Sequence, residues 1–163
     1  MKNLAVLTFL FLLVSQNALA NDARIIEVPG APLTIISYEA SHQEEGRYTR
    51  EGIRHSVKVK NEGSADVLAY GIGFFAFDAF NRSMGRQLTG IDMDTVAPGS
   101  ESSGAWNQRP SAAFTFKEYG TGVAYVRQAR LSDGTVWQAD MDFVLRELQK
   151  IESGLSLEDI VPE

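Results

Sequence analysis

Apolar and polar residues alternate along segment 53–61, and this alternation predicts a β-strand. Ile53, His55, Val57 and Val59 fall on one face, while the residues between them are Arg, Ser and Lys. Successive side chains of a strand point to opposite faces of its sheet. The pattern therefore predicts a strand with one face buried and the other in water.

The following segment, 67–77, is apolar on both faces and has no charged residue before Asp78. Between the two segments, Asn61-Glu62-Gly63-Ser64 provides residues that favour turns. This arrangement predicts a β-hairpin whose second strand lies in the middle of a sheet. That strand should be covered on both sides, because only such strands are continuously apolar.

Further strand patterns raise the expected number of strands to about seven. Asp133-Gly134 lies between two β-prone runs and predicts a tight hairpin, since such turns need positive φ. The fold expected from this spacing of short strands is an immunoglobulin-like antiparallel β-sandwich. The remaining predicted strands are 33–40, 102–107, 123–131 and 136–139, with 87–96 as one strand or a pair.

One C-terminal segment has helical spacing instead of strand alternation. Asp140 or Asp142 can cap its start, and Gly154 lies where a helix would stop. We expect one α-helix that packs across an open end of the sandwich. The expected domain spans 21–154 and is followed by an acidic tail, 155–163. The apolar residues at helical spacing are Met141, Val144, Leu145, Leu148 and Ile151.

Residues 1–20 have the layout of a cleaved secretory signal. Lys2 gives a positive head, 4–14 is apolar except for Thr8, and Ala18-Leu19-Ala20 supplies small residues for cleavage. A retained anchor is the weaker alternative, because the apolar run is shorter than the roughly 20 residues that span a bilayer. We predict a mature chain that starts at Asn21, has no transmembrane segment and is periplasmic or secreted in a bacterium.

Composition narrows the function classes. The formal net charge of −6 offers little affinity for phosphate backbones, so nucleic acid is not an expected partner. The chain has no cysteine, which excludes disulfides and thiol catalysis. No cofactor is expected.

The segment Phe74-Phe75-Ala76-Phe77-Asp78, preceded by Val59-Lys60-Asn61 and followed by Pro98-Gly99, resembles the FxLYD type of small bacterial immunoglobulin-like domain. Phe74, Phe77 and Asp78 sit at matching positions. Ala76 stands where Leu is usual, Phe77 replaces Tyr, and the usual Gly after Asp78 is absent. The resemblance covers roughly 57–106. It implies a sandwich fold in exported proteins, often of undefined function, and no catalytic residues.

The sequence predicts no catalytic residue. Without cysteine, a nucleophile would be Ser or Thr, but segment 99–104 lacks the Gly-x-Ser-x-Gly spacing. Of the two histidines, His42 lies in a polar loop. We interpret His55 as a core residue with one hydrogen bond. Further zinc ligands at suitable spacing are missing, and Asp78 is expected to accept backbone N–H bonds in a turn.

Two Asp-Met-Asp tripeptides are the only weak indication of a metal. Asp92 and Asp94, brought together with Asp140 and Asp142, would offer the oxygen ligands that calcium prefers. We favour the alternative, in which the first pair lies on the wet side of an edge strand and the second pair caps a helix.

A recognition surface is predicted in the loop 109–121 and beside it. Aromatic residues and arginine dominate the binding energy at many protein interfaces. We expect both Trp106 and Trp137 to be core residues, but if one is exposed, Trp106 beside Arg109 is the better candidate. The predicted binding residues are Trp106, Arg109, Phe114, Phe116 and Tyr119.

These observations favour a non-catalytic exported domain that binds another envelope or secreted protein, or pairs with it through an exposed strand edge. One alternative is a small carboxylate-dependent hydrolase that acts on glycans, which needs one acid in an apolar pocket and a second at a defined distance. Another is a secreted inhibitor that blocks an enzyme with a projecting loop.

Overall fold

The computed structural model describes residues 22–109 and 116–161, and within them the fold is mainly β, with eight strands and two α-helices. The predicted signal segment lies outside the described residues. The strands are β1 (Asp22–Ile26), β2 (Leu33–Gln43), β3 (Gly52–Asn61), β4 (Val67–Asp78), β5 (Leu88–Asp92), β6 (Glu101–Gln108), β7 (Tyr119–Leu131) and β8 (Val136–Gln138). The helices are α1 (Met141–Leu148) and α2 (Leu157–Ile160), and one turn of 3-10 helix spans Phe116–Glu118.

The strands form two sheets. One has the order β1-β7-β4-β5, with β8 paired to the second half of β7, and the other has the order β2-β3-β6. Neighbouring strands are antiparallel except β1 and β7, which are parallel. The sequence did not predict β1, because most of its side chains are exposed and show no alternation of burial.

Strand β4 is covered on both faces, as predicted for a central strand. Ile72 and Phe74 point into the core between the two sheets, whereas Phe75 and Phe77 belong to a second cluster on the outer face. Val144 of α1 is buried in that second cluster. The helix therefore packs on the outer face of the larger sheet, and the predicted position across an open end is wrong.

The predicted alternation of β3 is confirmed, because its apolar-face residues are buried and Arg54 and Lys58 are exposed. The predicted hairpin between β3 and β4 is wrong. β3 pairs with β2 and β6, and β4 pairs with β5 and β7. Residues 62–66 carry the chain from one sheet to the other, because turn residues permit a crossover as readily as a reversal.

The hairpin predicted at Asp133-Gly134 joins β7 to β8. Of the two residues only Gly134 has a positive φ, of 88°. The Gly134 N–H donates to the Leu131 carbonyl over 3.1 Å. The loop thus has three residues, 132–134, and ends in one glycine with left-handed backbone. The two-residue loop that was expected is not formed.

The predicted helix begins where expected, because the Asp140 side chain accepts from the Asp142 and Phe143 N–H groups. It ends at Leu148, well before Gly154. The tail predicted beyond residue 154 instead contains α2, and Leu155 and Ile160 are buried in the outer cluster. These two apolar residues hold the acidic segment against the sheet.

The connections between strands separate into two ends, which differ in charge. We name as the arginine end the connections 44–51 and 79–87 together with Gln108 and Arg109; its arginines are Arg47, Arg50, Arg82, Arg86 and Arg109. We name as the acidic end the connections 27–32, 62–66, 93–100 and 132–135. Each of these four carries Asp or Glu, and none carries Lys or Arg.

Candidate functional site

A chain of hydrogen bonds is buried beneath the arginine end. The Tyr38 hydroxyl lies 2.9 Å from His55 Nδ1, and His55 Nε2 lies 3.1 Å from the Gln108 side-chain oxygen. Gln108 Nε2 donates to the Arg86 carbonyl over 3.5 Å. Because an amide oxygen only accepts, His55 Nε2 carries the proton and Nδ1 accepts from Tyr38. These hydrogen bonds join the smaller sheet to the 79–87 connection.

Burial lowers the pKa of His55 to about 4, although the hydrogen bond to Gln108 acts to raise it. The imidazole is therefore neutral near pH 7, in agreement with its bonding. Its prediction as a core residue is confirmed, with two hydrogen bonds in place of one. The other histidine, His42, was predicted in a polar loop, and this is wrong, because it lies in β2 opposite Ile53. Its Nε2 lies 3.1 Å from Glu51 Oε1.

Trp106 is half-buried and faces the core. Its ring centroid lies 5.5 Å from that of Phe74, and a side chain at Gly90 or Gly104 would collide with the indole. Trp137 is also half-buried and packs against both clusters. Neither tryptophan is exposed, in agreement with the prediction that both pack against the core.

The residues predicted as a recognition surface are only partly described by the structure, and the described ones differ in exposure. Tyr119 is only 7% exposed, and its buried hydroxyl has no hydrogen-bond partner among the described residues. Arg109 is exposed at the arginine end. Phe114 lies outside the described residues, and Phe116 lies in the 3-10 helix, where its side chain is not described. Of the three predicted side chains that the structure describes, Arg109 is the exposed one.

The hairpin between β2 and β3 ends in an exposed aromatic residue that the sequence did not single out. Gly46 and Thr49 exchange backbone hydrogen bonds of 2.9 and 3.4 Å, which places Arg47 and Tyr48 at the tip. Tyr48 is 88% exposed, and the Arg47 guanidinium lies 5.3 Å from its ring centroid. An ordered loop thus presents an aromatic and a cationic group together.

A second aromatic residue is exposed in the turn after β4. Phe80 is 78% exposed, and the Arg82 guanidinium lies 5.4 Å from its ring centroid. The Asp78 carboxylate accepts from the Phe80 and Arg82 N–H groups at 2.8 and 2.9 Å and from Arg82 Nε at 2.7 Å. Asn81 has a positive φ of 62°, which asparagine tolerates. The turn is therefore held in one shape.

Burial of Asp78 acts to raise its pKa, but the hydrogen bonds and charge of Arg82 and the Phe80 N–H outweigh it and hold the pKa below its ordinary value. The expected role of Asp78 as an acceptor for backbone N–H groups is confirmed. A signal for Tyr48 and Phe80 was present in the sequence: each is a lone aromatic residue beside arginine in a segment rich in turn or charged residues.

Catalytic chemistry gains no support from the carboxyl groups. Among the described residues, the carboxyl groups with a displaced pKa are those of Asp78, Asp133 and Asp159, and in each the pKa is lowered. A glycosidase needs one acid with a raised pKa. In the segment 99–104, Ser102 lies in β6, and its hydroxyl is 3.3 Å from that of Tyr70. This serine is a strand residue without a histidine partner among its described contacts.

The aspartates of the metal alternative serve local backbone roles. Asp92 Oδ1 accepts from the Asp94 N–H over 2.8 Å, and Asp140 Oδ1 accepts from the Asp142 N–H over 3.0 Å. Within residues 22–109 and 116–161, no three potential metal-ligating side chains form a group. The two pairs are therefore not gathered into one site.

An opening of about 360 Å³, with polar as well as apolar lining, lies between β1 and β2 at the acidic end. Leu33, Ile35 and Val126 of the core line it together with Ile25 and Ile26. Each of the two strands is hydrogen-bonded on one side only, so both free edges border the opening.

No protein-family model and no curated protein matches the chain. Among solved structures, a hypothetical protein from Peptoclostridium difficile 630 is similar, with a TM-score of 0.54 at 11% identity over 72% of this chain and 92% of that one. A Northeast Structural Genomics Consortium target has a TM-score of 0.43 at 11% identity over 66% and 80%. The first similarity shows a shared fold alone.

In the described part of the chain, none of the helices has the length and apolarity of a membrane span.

Proposed function

We propose that this chain is an exported, immunoglobulin-like β-sandwich that binds another protein of the bacterial envelope or medium through its arginine end. The signal-like layout of residues 1–20 supports export. The strand orders β2-β3-β6 and β5-β4-β7-β8, with crossovers between the sheets, support the immunoglobulin-like arrangement.

The observation that carries the proposal is Tyr48, 88% exposed at the tip of a closed hairpin with Arg47 against its ring. Tyrosine and arginine are enriched among the residues that dominate binding energy. An aromatic side chain left in water gains that energy only when a partner buries it. Phe80 with Arg82 repeats the same pairing at the same end.

Both exposed aromatic residues lie in loops that are held by hydrogen bonds, which favours a role in recognition. The tip is closed by backbone bonds between Gly46 and Thr49, and the Phe80 turn is held by the Asp78 carboxylate. Groups already held in their bound geometry lose less entropy on association. The arginines of this end favour a partner surface that carries carboxylates, because guanidinium groups pair with them in a bidentate geometry.

A capture experiment with the mature chain tests the proposal. Residues 21–163, immobilised, are exposed to the native envelope fraction beside a Tyr48→Ala/Phe80→Ala double variant. Met93→Ala is the matched control, because Met93 is also 78% exposed but lies at the acidic end. Truncating each anchor should cost about 2 kcal/mol, or about thirtyfold in affinity.

We expect wild type and Met93→Ala to retain the same partner and the double variant to lose it. Equal retention by all three would show that the arginine end is the wrong surface. If none retains a protein, the binding function itself fails, and screening against cell-wall glycans becomes the next experiment.

The projecting hairpin also favours the inhibitor alternative. A tip of two residues, closed at its base by His42 and Glu51, has a shape that can enter the active-site cleft of an enzyme. Identification of the captured partner separates the two functions. An enzyme whose activity falls on adding wild type, and not on adding Tyr48→Ala, would favour inhibition over accessory binding.

A further inference from the structure

The opening of about 360 Å³ between β1 and β2 reaches the core between the two sheets. Leu33, Ile35 and Val126, which line it, are buried members of that core. In the described part of the chain, β1 and β2 each have one edge without a neighbouring strand, so backbone N–H and C=O groups border the opening. The opening therefore suits a side chain with an apolar body and a polar tip, which is the chemistry of tyrosine.

The charge at the mouth of the opening is negative. Glu27 belongs to the lining and is exposed, and the described lining includes no Lys or Arg. Glu27 takes part in none of the ion pairs between described residues. The other connections of the acidic end also carry carboxylates and no base. A cationic surface is therefore the electrostatic complement of this end.

The arginine end of a second copy carries the complementary groups. Tyr48 is 88% exposed at the hairpin tip, and the Arg47 guanidinium lies 5.3 Å from its ring centroid. The tip lies beyond the last strand pair, Gln43 with Gly52, so it projects from the sheet. Insertion of the Tyr48 ring brings the charge of Arg47 to the mouth that carries Glu27, and opposite charges at short range attract.

The hairpin tip and the opening lie at opposite ends of one strand. β2 runs for 11 residues from Leu33, in the lining of the opening, to Gln43, at the base of the hairpin. At about 3.3 Å per residue, these two sites are roughly 35 Å apart, too far for a chain to fill its own opening. The contact is therefore between copies. Because the two contacting surfaces differ, it repeats head to tail and does not close on itself in a dimer.

We propose that the opening between β1 and β2 receives the Tyr48 tip of a second copy, so that the chain assembles head to tail. The ring packs over Ile35 and Val126, the hydroxyl meets the free strand edges, and Arg47 pairs with Glu27. The inference goes beyond the proposed function, because it gives the acidic end a binding role. Assembly and partner binding then compete, since both need an exposed Tyr48.

Sedimentation velocity of the mature chain, residues 21–163, tests the assembly. We expect the weight-average mass to rise beyond that of a dimer as the concentration increases from about 10 μM to about 1 mM. Tyr48→Ala should weaken association at least tenfold. Phe80→Ala is the matched control, because Phe80 is another exposed aromatic residue of the arginine end. It should change association less than twofold, since only the Tyr48 tip enters the opening.

A mixing experiment tests the direction of the contact. Glu27→Lys reverses the charge at the opening and should weaken association at least tenfold. Asp94→Lys is its matched control, because Asp94 is an exposed acid of the same end outside the lining. The Tyr48→Ala chain keeps its opening, and the Glu27→Lys chain keeps its tip with Arg47. Because the remaining charge at each opening decides the pairing, a mixture of the two variants should form a heterodimer that grows no further.

Three results would overturn the proposal. They are a chain that stays monomeric at about 1 mM, association that Tyr48→Ala leaves unchanged, and a mixture of the two variants that stays monomeric. Recovery of association in the double variant Arg47→Glu/Glu27→Lys, relative to either single variant, would support the ion pair across the contact.

The outcome can be separated from that of the proposed function. If the chain stays monomeric while capture that depends on Tyr48 and Phe80 persists, the assembly is wrong and the proposed function stands. If the chain assembles through Tyr48 but captures no other protein, the assembly stands and the proposed function fails.

Discussion

The two ends of the paired sheets can be compared through a single strand, because β3 places an inward polar side chain near each. Near the arginine end, His55 joins a chain of hydrogen bonds that reaches the Arg86 carbonyl. At the acidic end, Asn61 Nδ2 donates to the Ala65 and Val96 carbonyls at 2.9 and 2.8 Å, and its oxygen accepts from the Gly63 N–H at 2.9 Å. Both ends are thus braced from within by one fully buried residue.

What differs is the surface that each brace supports. At the acidic end, Asn61 satisfies the backbone of connections that carry carboxylates and no base. At the arginine end, Tyr48 and Phe80 are exposed, each with a guanidinium group against its ring, and the guanidinium of Arg82 is also bound to Asp78. The comparison shows that both ends have a buried brace, whereas exposed aromatic side chains paired with arginine lie, among the described residues, at the arginine end. Four experiments test this contrast, in order of expected effect.

Acidification should weaken the brace of the arginine end first. The pKa of folded His55, about 4, is below its ordinary value of 6.5, so the unfolded chain binds the proton more readily. The resulting loss in the free energy of unfolding is absent above about pH 6.5 and grows as the pH falls, reaching about 3 kcal/mol at about pH 4. Urea unfolding at pH 7, 5.5 and 4.5 measures this loss. His55→Gln should abolish the slope between pH 6.5 and 4.5, and an unchanged slope would contradict the assignment.

Asn61→Ala should lower the free energy of unfolding by about 2 kcal/mol, because it removes three hydrogen bonds and leaves the Ala65 carbonyl without its side-chain donor and the Gly63 N–H without its acceptor, while the Val96 carbonyl keeps the Val67 N–H. Asn107→Ala is the matched control, since Asn107 is exposed on β6, and it should change stability by less than about 0.5 kcal/mol. Chemical denaturation compares them. When both variants are fully folded, each should bind the captured partner as well as the other. Weaker binding by Asn61→Ala would contradict the assignment of partner binding to the arginine end.

Asp78→Asn should destabilise the chain by about 1 kcal/mol, because the carboxylate loses its charge-assisted bonds while one acceptor oxygen remains. Asp78 has a lowered folded pKa. Its contribution is present above the ordinary pKa of 3.8 and is lost as the pH falls through the lower folded value. Faster hydrogen exchange at the Phe80 and Arg82 amides should accompany a severalfold weaker partner affinity.

The control for that variant is Asp133→Asn, which changes an equivalent turn at the acidic end, where Asp133 Oδ1 accepts from the Thr135 N–H over 2.8 Å. Partner affinity should be unaffected by it. Equal weakening by Asp78→Asn and Asp133→Asn would mean that the two turns are interchangeable for binding.

The smallest expected effect is that of ionic strength on partner affinity. Raising salt from 50 to 500 mM should weaken the partner severalfold, since exposed charge pairs are screened. Arg50→Gln should reduce that salt dependence, while Asp133→Lys should leave it unchanged. Surface titration by biolayer interferometry measures both. Affinity independent of salt would argue that apolar burial of Tyr48 and Phe80 carries recognition without help from the arginines.

Much of the local structure followed from particular residues. The alternation through Ile53 to Val59 predicted which face of β3 is buried, and the doubly apolar segment predicted β4 as a covered central strand. Asp140 was one of two residues proposed as the helix cap, and it is the cap. These features are local, because strand and helix geometry impose a period on burial that a short window of sequence displays.

The exposed aromatic residues of the arginine end were not predicted, for a different reason. Trp106 was considered as a possible exposed anchor because it lies among Ser and Gly residues, where alternation gives no direction. Its ring in fact fills the space above Gly90, a residue of another strand. Tyr48 and Phe80 were passed over because loop residues have no periodicity, and the remaining sign of exposure, an aromatic residue near arginine in a segment rich in turn or charged residues, says nothing about direction.

The sequence by itself determined the mainly β character of the chain, the inward face of β3 and the two-sided cover of β4. Only the tertiary structure decided that β3 and β4 lie in different sheets, that α1 covers the outer face of the larger one, and that the arginine-bearing connections share an end. The physical reason is range: burial period is set within a few residues, whereas strand partners and neighbouring loops depend on contacts between distant segments.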